Sequence, residues 1–139
     1  ISRFGVVNNQ ESVKIAKSFC DKLRIKTPSV YQRVKNLSGG NQQKVVISKW
    51  LEQDSDLFIF DEPTVGVDVG AKLEIYKIFE TLIKEGKTII MISSYLPEVM
   101  GLADRILIMY EGQQTGILSR DEFQEERILR LASGIKGKE

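Results

Sequence analysis

Two short stretches of the chain carry residue types that could bind a phosphate group and a metal ion. Residues 38–40, Ser-Gly-Gly, open a segment with helical periodicity. A hydroxyl and glycine N–H groups at the positive end of a helix dipole are well suited to a phosphate. The apolar run 57–60 ends in Asp61 and Glu62. Two carboxylates at the end of a strand can hold Mg²⁺ and polarise a water molecule, so the two stretches together predict phosphate chemistry.

Each stretch also has a purely structural interpretation. Ser-Gly-Gly alone fits a capped helix with a flexible entry. Asp61 and Glu62 alone fit a solvated strand end or a helix cap. Asp68, which follows in a glycine-containing loop, fits an aspartate near the start of an ordinary helix. These alternatives stay open at the level of composition and spacing.

Composition excludes several classes of function. The chain has 139 residues, enough for one domain with its own core, and 20 Lys and Arg against 19 Asp and Glu. This balance gives no reason to expect nucleic acid or an anionic membrane surface as a partner. The absence of histidine excludes His-based zinc sites and Ser-His triads. Cys20 is the only cysteine, which excludes an internal disulfide, and its apolar neighbours predict a packing role.

The elements that must position these residues follow from periodicity and from capping signals. The sequence predicts helices at 10–24, 40–53 headed by Ser38, and 71–85 ending at Gly86, a short helix after Thr27-Pro28, one from Pro97, and one opened by the capping-box residues 119–122. The predicted strands are 57–60, 88–92, 105–110 and 114–118, the last two forming a hairpin around Glu111-Gly112. Apolar strands separated by helices predict an α/β fold with a parallel sheet covered on both faces.

Four runs of the sequence resemble motifs of ABC-type ATPases in their sugar-importer variant. They are 37–44 (LSGGNQQK), 57–64 (LFIFDEPT), 66–72 (GVDVGAK) and 93–98 (SSYLPE). The first resembles the signature motif, the second the Walker B motif and the third the D-loop. The fourth lies where the family usually places a switch histidine, and it matches the second domain of tandem sugar-importer ATPases.

The resemblance implies contacts to a nucleotide held by another domain. The signature would cap the γ-phosphate of ATP bound to a facing nucleotide-binding domain across a two-fold dimer. The residues implied in ATP binding are Ser38, Gly39, Gly40, Asn41, Gln42 and, in the D-loop, Asp68.

The resemblance also implies residues of a second, cis site. Asp61 would hold Mg²⁺, usually through water, and Glu62 would polarise the attacking water as a catalytic residue. Ser94 stands at the switch position. A hydroxyl can bond a phosphate oxygen but does not supply the charge or reach of an imidazole, so slow hydrolysis is expected at this site.

The sequence contains no GxxxxGK[ST] phosphate loop. The resemblance covers nearly the whole chain but only the second half of a nucleotide-binding domain, and the start at Ile1 is expected of a piece of a longer protein. The expected fold is therefore a partial P-loop NTPase core, mostly a parallel sheet flanked by helices, with the phosphate-loop strand absent. A missing strand between 88–92 and 105–110 would let the sheet close up, stay split or recruit a strand from a second chain.

The expected segments are 1–55, part of the helical signature subdomain; 56–118, a catalytic core remnant; and 119–139, a C-terminal helical segment and tail. The resemblance implies the C-terminal part of the second nucleotide-binding domain of a monosaccharide importer of the ribose or galactose type, which couples ATP and Mg²⁺ to uptake. The implied partners are a facing nucleotide-binding domain, membrane permease subunits and, indirectly, an external sugar-binding protein, with no nucleic acid. The implied location is the cytoplasmic face of the plasma membrane. This piece alone is expected to be inactive.

Two other functions stay open at this stage. One is an ABC ATPase with no transport role, against which LSGGNQQK, GVDVGAK and the serine switch argue. The other is a half-domain binding module that completes a partner's ATP site. The upstream reading frame distinguishes all three.

Overall fold

Short helices and strands alternate along the chain, as the apolar periodicity predicts. The computed structural model describes residues 2–3, 6–53 and 55–135; Ile1, Asp54 of the predicted helix break and the charged tail 136–139 lie outside them. The helices are α1 (Asn9–Lys22), α2 (Gly39–Leu51), α3 (Val69–Lys84), α4 (Leu96–Leu102) and α5 (Glu125–Ala132). The strands are β1 (Ser2–Arg3), β2 (Val6–Val7), β3 (Leu57–Asp61), β4 (Thr88–Ile92), β5 (Arg105–Tyr110) and β6 (Gln113–Ser119). Two compact units divide between Ile90 and Met91.

Helix α1 begins where its sequence supplies a cap. The Asn8 side chain accepts a hydrogen bond from the Glu11 N–H group at 3.2 Å, which satisfies one of the free donors of the first turn. The helix ends at Lys22, and Arg24 then takes a left-handed φ of 51°. Leu23 and Ile25, on either side of Arg24, are both buried.

The short helix predicted after Thr27-Pro28 is wrong. The Thr27 hydroxyl donates to the Ser29 carbonyl at 2.8 Å, so its hydrogen bond closes a local turn and does not cap a helix. Residues 29–32 form a turn, and only the 3₁₀ helix Val34–Asn36 precedes α2.

The first unit has its core between β3 and α3. Phe58 and Phe60 are buried on one face of β3, and the Phe60 ring stacks on Phe79 of α3 with 4.6 Å between ring centroids. Helix α3 also buries Ile75, Ile78 and Leu82. It ends before Gly86, whose φ of 82° lets the chain turn back into β4.

Strands β3 and β4 form a small parallel sheet. The opposite face of β3 carries Leu57 and Ile59, which are exposed, and β4 exposes Ile90 and Ile92. The run 57–60 is therefore not buried throughout, because side chains of a strand alternate between faces and α3 covers one of them. Within the described residues, the predicted coverage of both sheet faces is not present.

The second unit is built on the predicted hairpin. Strands β5 and β6 pair antiparallel from Arg105 with Ser119 to Tyr110 with Gln113, around a turn in which Glu111 and Gly112 both have positive φ. Ile106, Ile108, Leu118 and Ile128 form its buried core. The capping box of Ser119 and Glu122 is confirmed, but it opens the 3₁₀ helix Arg120–Glu122, and α5 begins only at Glu125.

The strands lie in three two-stranded sheets, β1–β2, β3–β4 and β5–β6. Among the described residues β4 and β5 lie in different sheets, so the sheet does not close up there; recruitment of a strand from a second chain stays a prediction. The segment boundaries predicted at residues 55 and 118 stay predictions. None of the described helices has both the length and the apolar character that crossing a lipid bilayer requires.

Candidate functional site

Ser38 lies at the N-cap of α2, as the sequence predicts. Its carbonyl accepts the Gln42 N–H group at 2.9 Å, but its hydroxyl caps no N–H group of the helix. The hydroxyl instead accepts a hydrogen bond from the Asn41 side-chain amide at 2.8 Å. Ser38 and Gly39 are exposed. The positive end of α2 therefore faces solvent without a side-chain cap, which is the condition for receiving an anion.

Asn41 and Gln42 hold the loops around this helix end. The side-chain oxygen Oδ1 of Asn41 accepts a hydrogen bond from the Lys26 N–H group at 2.9 Å, and the Gln42 side-chain amide donates to the Leu37 carbonyl at 2.8 Å. Both residues are half-buried. The structure thus assigns them bracing contacts within the chain, and their direct contact with a phosphate stays a prediction.

Gly39 and Gly40 allow α2 to approach the segment 66–71 closely. A Cβ atom at Gly40 would lie 2.4 Å from the Cβ of Ala71, and one at Gly39 would lie 3.0 Å from the Gly66 carbonyl oxygen. Gly40 is buried. The sequence suggested glycine for access of a phosphate, and the structure adds close packing against the chain's own loop as a second reason.

Lys44 is a buried cation that the sequence analysis gave no role of its own. It is 2% exposed, and its ammonium group donates to the Glu74 carboxylate of α3 and to the Arg24 carbonyl, the latter at 3.1 Å. The hydrogen bond from Lys44 holds the pKa of Glu74 below its usual range. Apolar periodicity does not reveal such a pair, since lysine is rarely buried; the one signal is a lysine on the inward face of α2.

Asp61 and Glu62 follow one another at the carboxyl end of β3. Asp61 is exposed, and Glu62 is half-buried with a left-handed φ of 46°. A non-glycine residue in this region costs about 1–3 kcal/mol and persists where neighbours impose it. Pro63 and Thr64 are buried directly after it. The turn therefore fixes where the Glu62 carboxylate emerges, a feature that spacing alone did not predict.

The carboxylates at the end of β3 suit Mg²⁺, which takes few protein ligands, better than a metal ion that is enclosed entirely by protein side chains. Among the described residues, no group of three or more His, Cys, Asp or Glu side chains could enclose a metal ion. Mg²⁺ commonly uses one or two carboxylates and completes its shell with water and substrate phosphates. Asp61, an exposed carboxylate at a strand end, fits that mode.

Asp68 forms the N-cap of α3. Its side chain accepts a hydrogen bond from the Ala71 N–H group at 3.0 Å, which is the structural role considered for it. It also follows Gly66, whose carbonyl lies beside Gly39. The first unit thus brings the exposed starts of α2 and α3 together, with Ser38 at one and Asp68 at the other.

Ser94 lies in the second unit, in the loop that joins β4 to α4. It is exposed, and its neighbour Ser93 donates to the Glu98 carboxylate at 2.7 Å and accepts the Tyr95 N–H group at 3.1 Å. Glu98 is 5% exposed. A buried carboxylate therefore anchors the loop that presents Ser94.

A cleft of about 330 Å³ lies elsewhere in the first unit, between α1, the 25–37 loop and α2. Its walls are largely apolar, and none of the predicted site residues lines it. Cys20 does, and burial raises the pKa of its thiol, followed in effect by the charge of Asp21. A raised pKa lowers the thiolate fraction, which argues against a reactive thiol; the packing role stays a prediction.

The ABC transporter family model matches residues 3–65. The chain is 50% identical over 98% of its length to the xylose import ATP-binding protein of Thermoanaerobacter pseudethanolicus and spans 27% of that protein. It is 53% identical over 94% of its length to the L-arabinose transport ATP-binding protein of Geobacillus stearothermophilus, spanning 26% of it. It is 51% identical over 96% of its length to the ribose import ATP-binding protein of Clostridium perfringens, spanning 27%.

Solved structures agree on the fold. A bacterial ABC transporter cassette solved as a dimer superposes with a TM-score of 0.71 at 21% identity, over 87% of this chain and 52% of that one. A second ATP-binding cassette of an ABC transporter gives a TM-score of 0.76 at 21% identity, over 94% and 53%.

The fold is therefore that of an ABC ATPase cassette, present in part. Residues 3–65 match the ABC transporter family model, and the relatives that the chain resembles are ATP-binding proteins of sugar importers. The chain spans about a quarter of their length.

Proposed function

We propose that the chain is part of the ATP-hydrolysing subunit of an ABC importer for monosaccharides, from its second nucleotide-binding domain. The main observation is that the exposed start of α2 packs against residues 66–71, the D-loop end and the first turn of α3. The same unit carries Asp61 and Glu62 at the end of β3. Identities of 50–53% to xylose, arabinose and ribose proteins support a sugar cargo. The subunit would couple ATP binding and hydrolysis to uptake.

The start of α2 acts on a nucleotide held by a facing domain. Ser38 and the backbone of Gly39 and Gly40 donate to the γ-phosphate, and the α2 dipole adds to the attraction. Asn41 supports the Ser38 hydroxyl through their hydrogen bond, and Gln42 supports the entry loop at Leu37. Asp68 contributes from the start of α3, which lies beside the same surface.

The end of β3 acts on a nucleotide held by its own domain. Asp61 would hold Mg²⁺, and Glu62 would accept a proton from the attacking water. Mg²⁺, when bound with ATP, supplies charge neutralisation at the phosphates. The left-handed backbone at Glu62 directs its carboxylate independently of Asp61. Ser94 bonds the γ-phosphate as the switch residue, without a positive charge.

The proposed partners are a facing nucleotide-binding domain and membrane permease subunits, with an external sugar-binding protein contacted only through the permease. The net charge of +1 gives no reason to propose a nucleic-acid partner. The proposed location is the cytoplasmic face of the plasma membrane, bound to the permease. A polypeptide of these 139 residues alone is proposed to lack ATPase activity, because the sequence holds no GxxxxGK[ST] loop to cradle the phosphates.

The experiment measures ATP-dependent uptake of labelled xylose, arabinose and ribose by the full-length protein with its permease in liposomes. Ser38→Arg is expected to lower uptake about a hundredfold, because the side chain fills the place of the phosphate. Glu62→Gln is expected to cost less than about tenfold, since the other ATP site still has its own catalytic base. Ser18→Arg, on the exposed surface of α1, and Glu85→Gln are the matched controls.

Uptake that survives Ser38→Arg contradicts the proposal. ATP hydrolysis without uptake of any of the sugars favours an ABC ATPase with no transport role. Turnover by the 139-residue polypeptide alone contradicts its proposed inactivity. Stimulation of a partner's ATPase by that polypeptide favours the half-domain binding module.

A further inference from the structure

An ion pair between a buried lysine and a half-buried glutamate connects α2 to α3 behind the proposed phosphate-binding surface. Lys44 is 2% exposed and donates to the Glu74 carboxylate, which is 40% exposed. The second acceptor of Lys44 is the Arg24 carbonyl at 3.1 Å. The ammonium group thus joins three segments of the first unit: α2, α3 and the turn after α1.

The pair lies on the same helix faces as the glycine contact. Lys44 follows Gly40 by four residues on α2, and Glu74 follows Ala71 by three on α3, so each pair of positions shares one helix face. Gly40 packs on Ala71, and Gly39 approaches the Gly66 carbonyl. The two helices therefore meet in successive contacts that begin at the exposed start of α2 and end at the ion pair.

The ion pair supplies what the glycine contact lacks. Glycine against alanine permits a close approach but leaves sliding and rotation weakly restricted. A buried ammonium group needs its carboxylate, since one left without a partner is costly. The Lys44–Glu74 ion pair and the Gly40–Ala71 contact together restrict how α2 can slide or turn on α3.

We propose that Lys44 and Glu74 are a positioning pair that fixes α2 on α3, so that Ser38 and Asp68 are presented together to the nucleotide of the facing domain. The inference rests on the proposed function. Neither residue touches the nucleotide. Their effect on catalysis passes through Ser38, at the start of the helix that Lys44 anchors.

The test is a double-mutant cycle on kcat for ATP hydrolysis in the full-length protein assembled with its permease. Glu74→Gln is expected to lower kcat about tenfold when Ser38 is present, because a donor displaced by about 1 Å loses much of its effect. In the Ser38→Ala background the same change is expected to lower kcat less than about twofold, since no hydroxyl is left to misplace. Equal fold-changes in both backgrounds overturn the proposal, because a purely structural pair acts additively.

Glu80→Gln is the matched control, because Glu80 lies on the same helix in an exposed pair with Lys84; it is expected to leave kcat unchanged in both backgrounds. If Glu74→Gln does not fold, Lys44→Arg enters the same cycle, since it keeps the charge and moves the donor. If Ser38→Ala lowers kcat and the effects of Ser38→Ala and Glu74→Gln on kcat are additive, only the positioning role is overturned. If Ser38→Ala leaves kcat unchanged, both the proposed function and the positioning role are contradicted.

Discussion

Among single residues, Gly40 has a packing role that can be tested separately from phosphate binding. Gly40→Ala is expected to lower the free energy of unfolding by about 1–3 kcal/mol, because the new methyl group overlaps the Ala71 methyl group. The Cβ atoms would lie 2.4 Å apart without relaxation. Denaturant titration of the polypeptide followed by circular dichroism measures the change.

The partner substitution supplies the check on that prediction. Ala71→Gly alone is expected to cost about 1 kcal/mol as a glycine in a helix, yet in combination it removes the overlap. The double variant is therefore expected to lose less free energy of unfolding than the two single variants lose together. Gly101→Ala, in α4 with open space around its Cβ position, is expected to be neutral or stabilising. Strict additivity at Gly40 and Ala71 contradicts the packing role.

The residues that sequence reasoning located share one property: their chemistry is tied to a position in the pattern. Ser38 precedes a helical run, and Asp61 ends an apolar one, so both could be placed from spacing. The burial of Lys44 could not, since it depends on a tertiary neighbour, Glu74. The left-handed φ of Glu62 could not be placed from spacing either.

Between elements, the Lys44–Glu74 pair makes the packing of α2 on α3 dependent on pH. The pKa of Glu74 is lowered on folding, chiefly by the hydrogen bond from Lys44. The folded state therefore binds this proton more weakly than the unfolded chain does. The stabilisation is fully present above the usual glutamate pKa of about 4.3 and is lost as pH falls through the lower folded-state value.

Glu74→Gln removes this dependence. At neutral pH it is expected to cost about 1–2 kcal/mol, a range kept low because Glu74 is 40% exposed. Below the folded-state pKa the variant and the parent are expected to converge in stability. Denaturant titrations over a pH series from neutral to acidic measure the difference. Glu80→Gln, in an exposed pair, is the control; a constant difference between parent and Glu74→Gln at all pH values would contradict the assigned pKa shift.

Element boundaries were predicted best where the sequence carries its own stop or turn. Gly86 ends α3, Glu111-Gly112 closes the hairpin, and β4 matches 88–92. The prediction from Thr27-Pro28 was wrong because a hydroxyl before proline can close a turn as well as cap a helix, and the Thr27 hydroxyl donates to the Ser29 carbonyl. The burial of β3 was overestimated for a different reason: an all-apolar strand does not say whether both sheet faces are covered.

At the scale of the whole chain, the β3–β4 sheet and the β5–β6 hairpin each leave one face apolar and exposed. On the β3–β4 sheet these side chains are Leu57, Ile59, Ile90 and Ile92, and on the β5–β6 hairpin they are Leu107, Met109 and Ile117. Exposed aliphatic side chains on one sheet face form a patch that favours dye binding and association, unlike single exposed residues.

A polypeptide of these 139 residues is therefore expected to bind the dye ANS and to self-associate in sedimentation experiments. Ile59→Lys is expected to roughly halve the ANS fluorescence and to shift the population toward monomer, because a charge interrupts the patch at its most exposed member. Ile59 is 63% exposed, so the substitution removes little buried surface and should leave the free energy of unfolding nearly unchanged. Ile83→Lys is the matched control, because Ile83 is 51% exposed on α3 and away from the sheet face. An equal effect of both substitutions, or none from Ile59→Lys, would show that the sheet face is not where the dye binds.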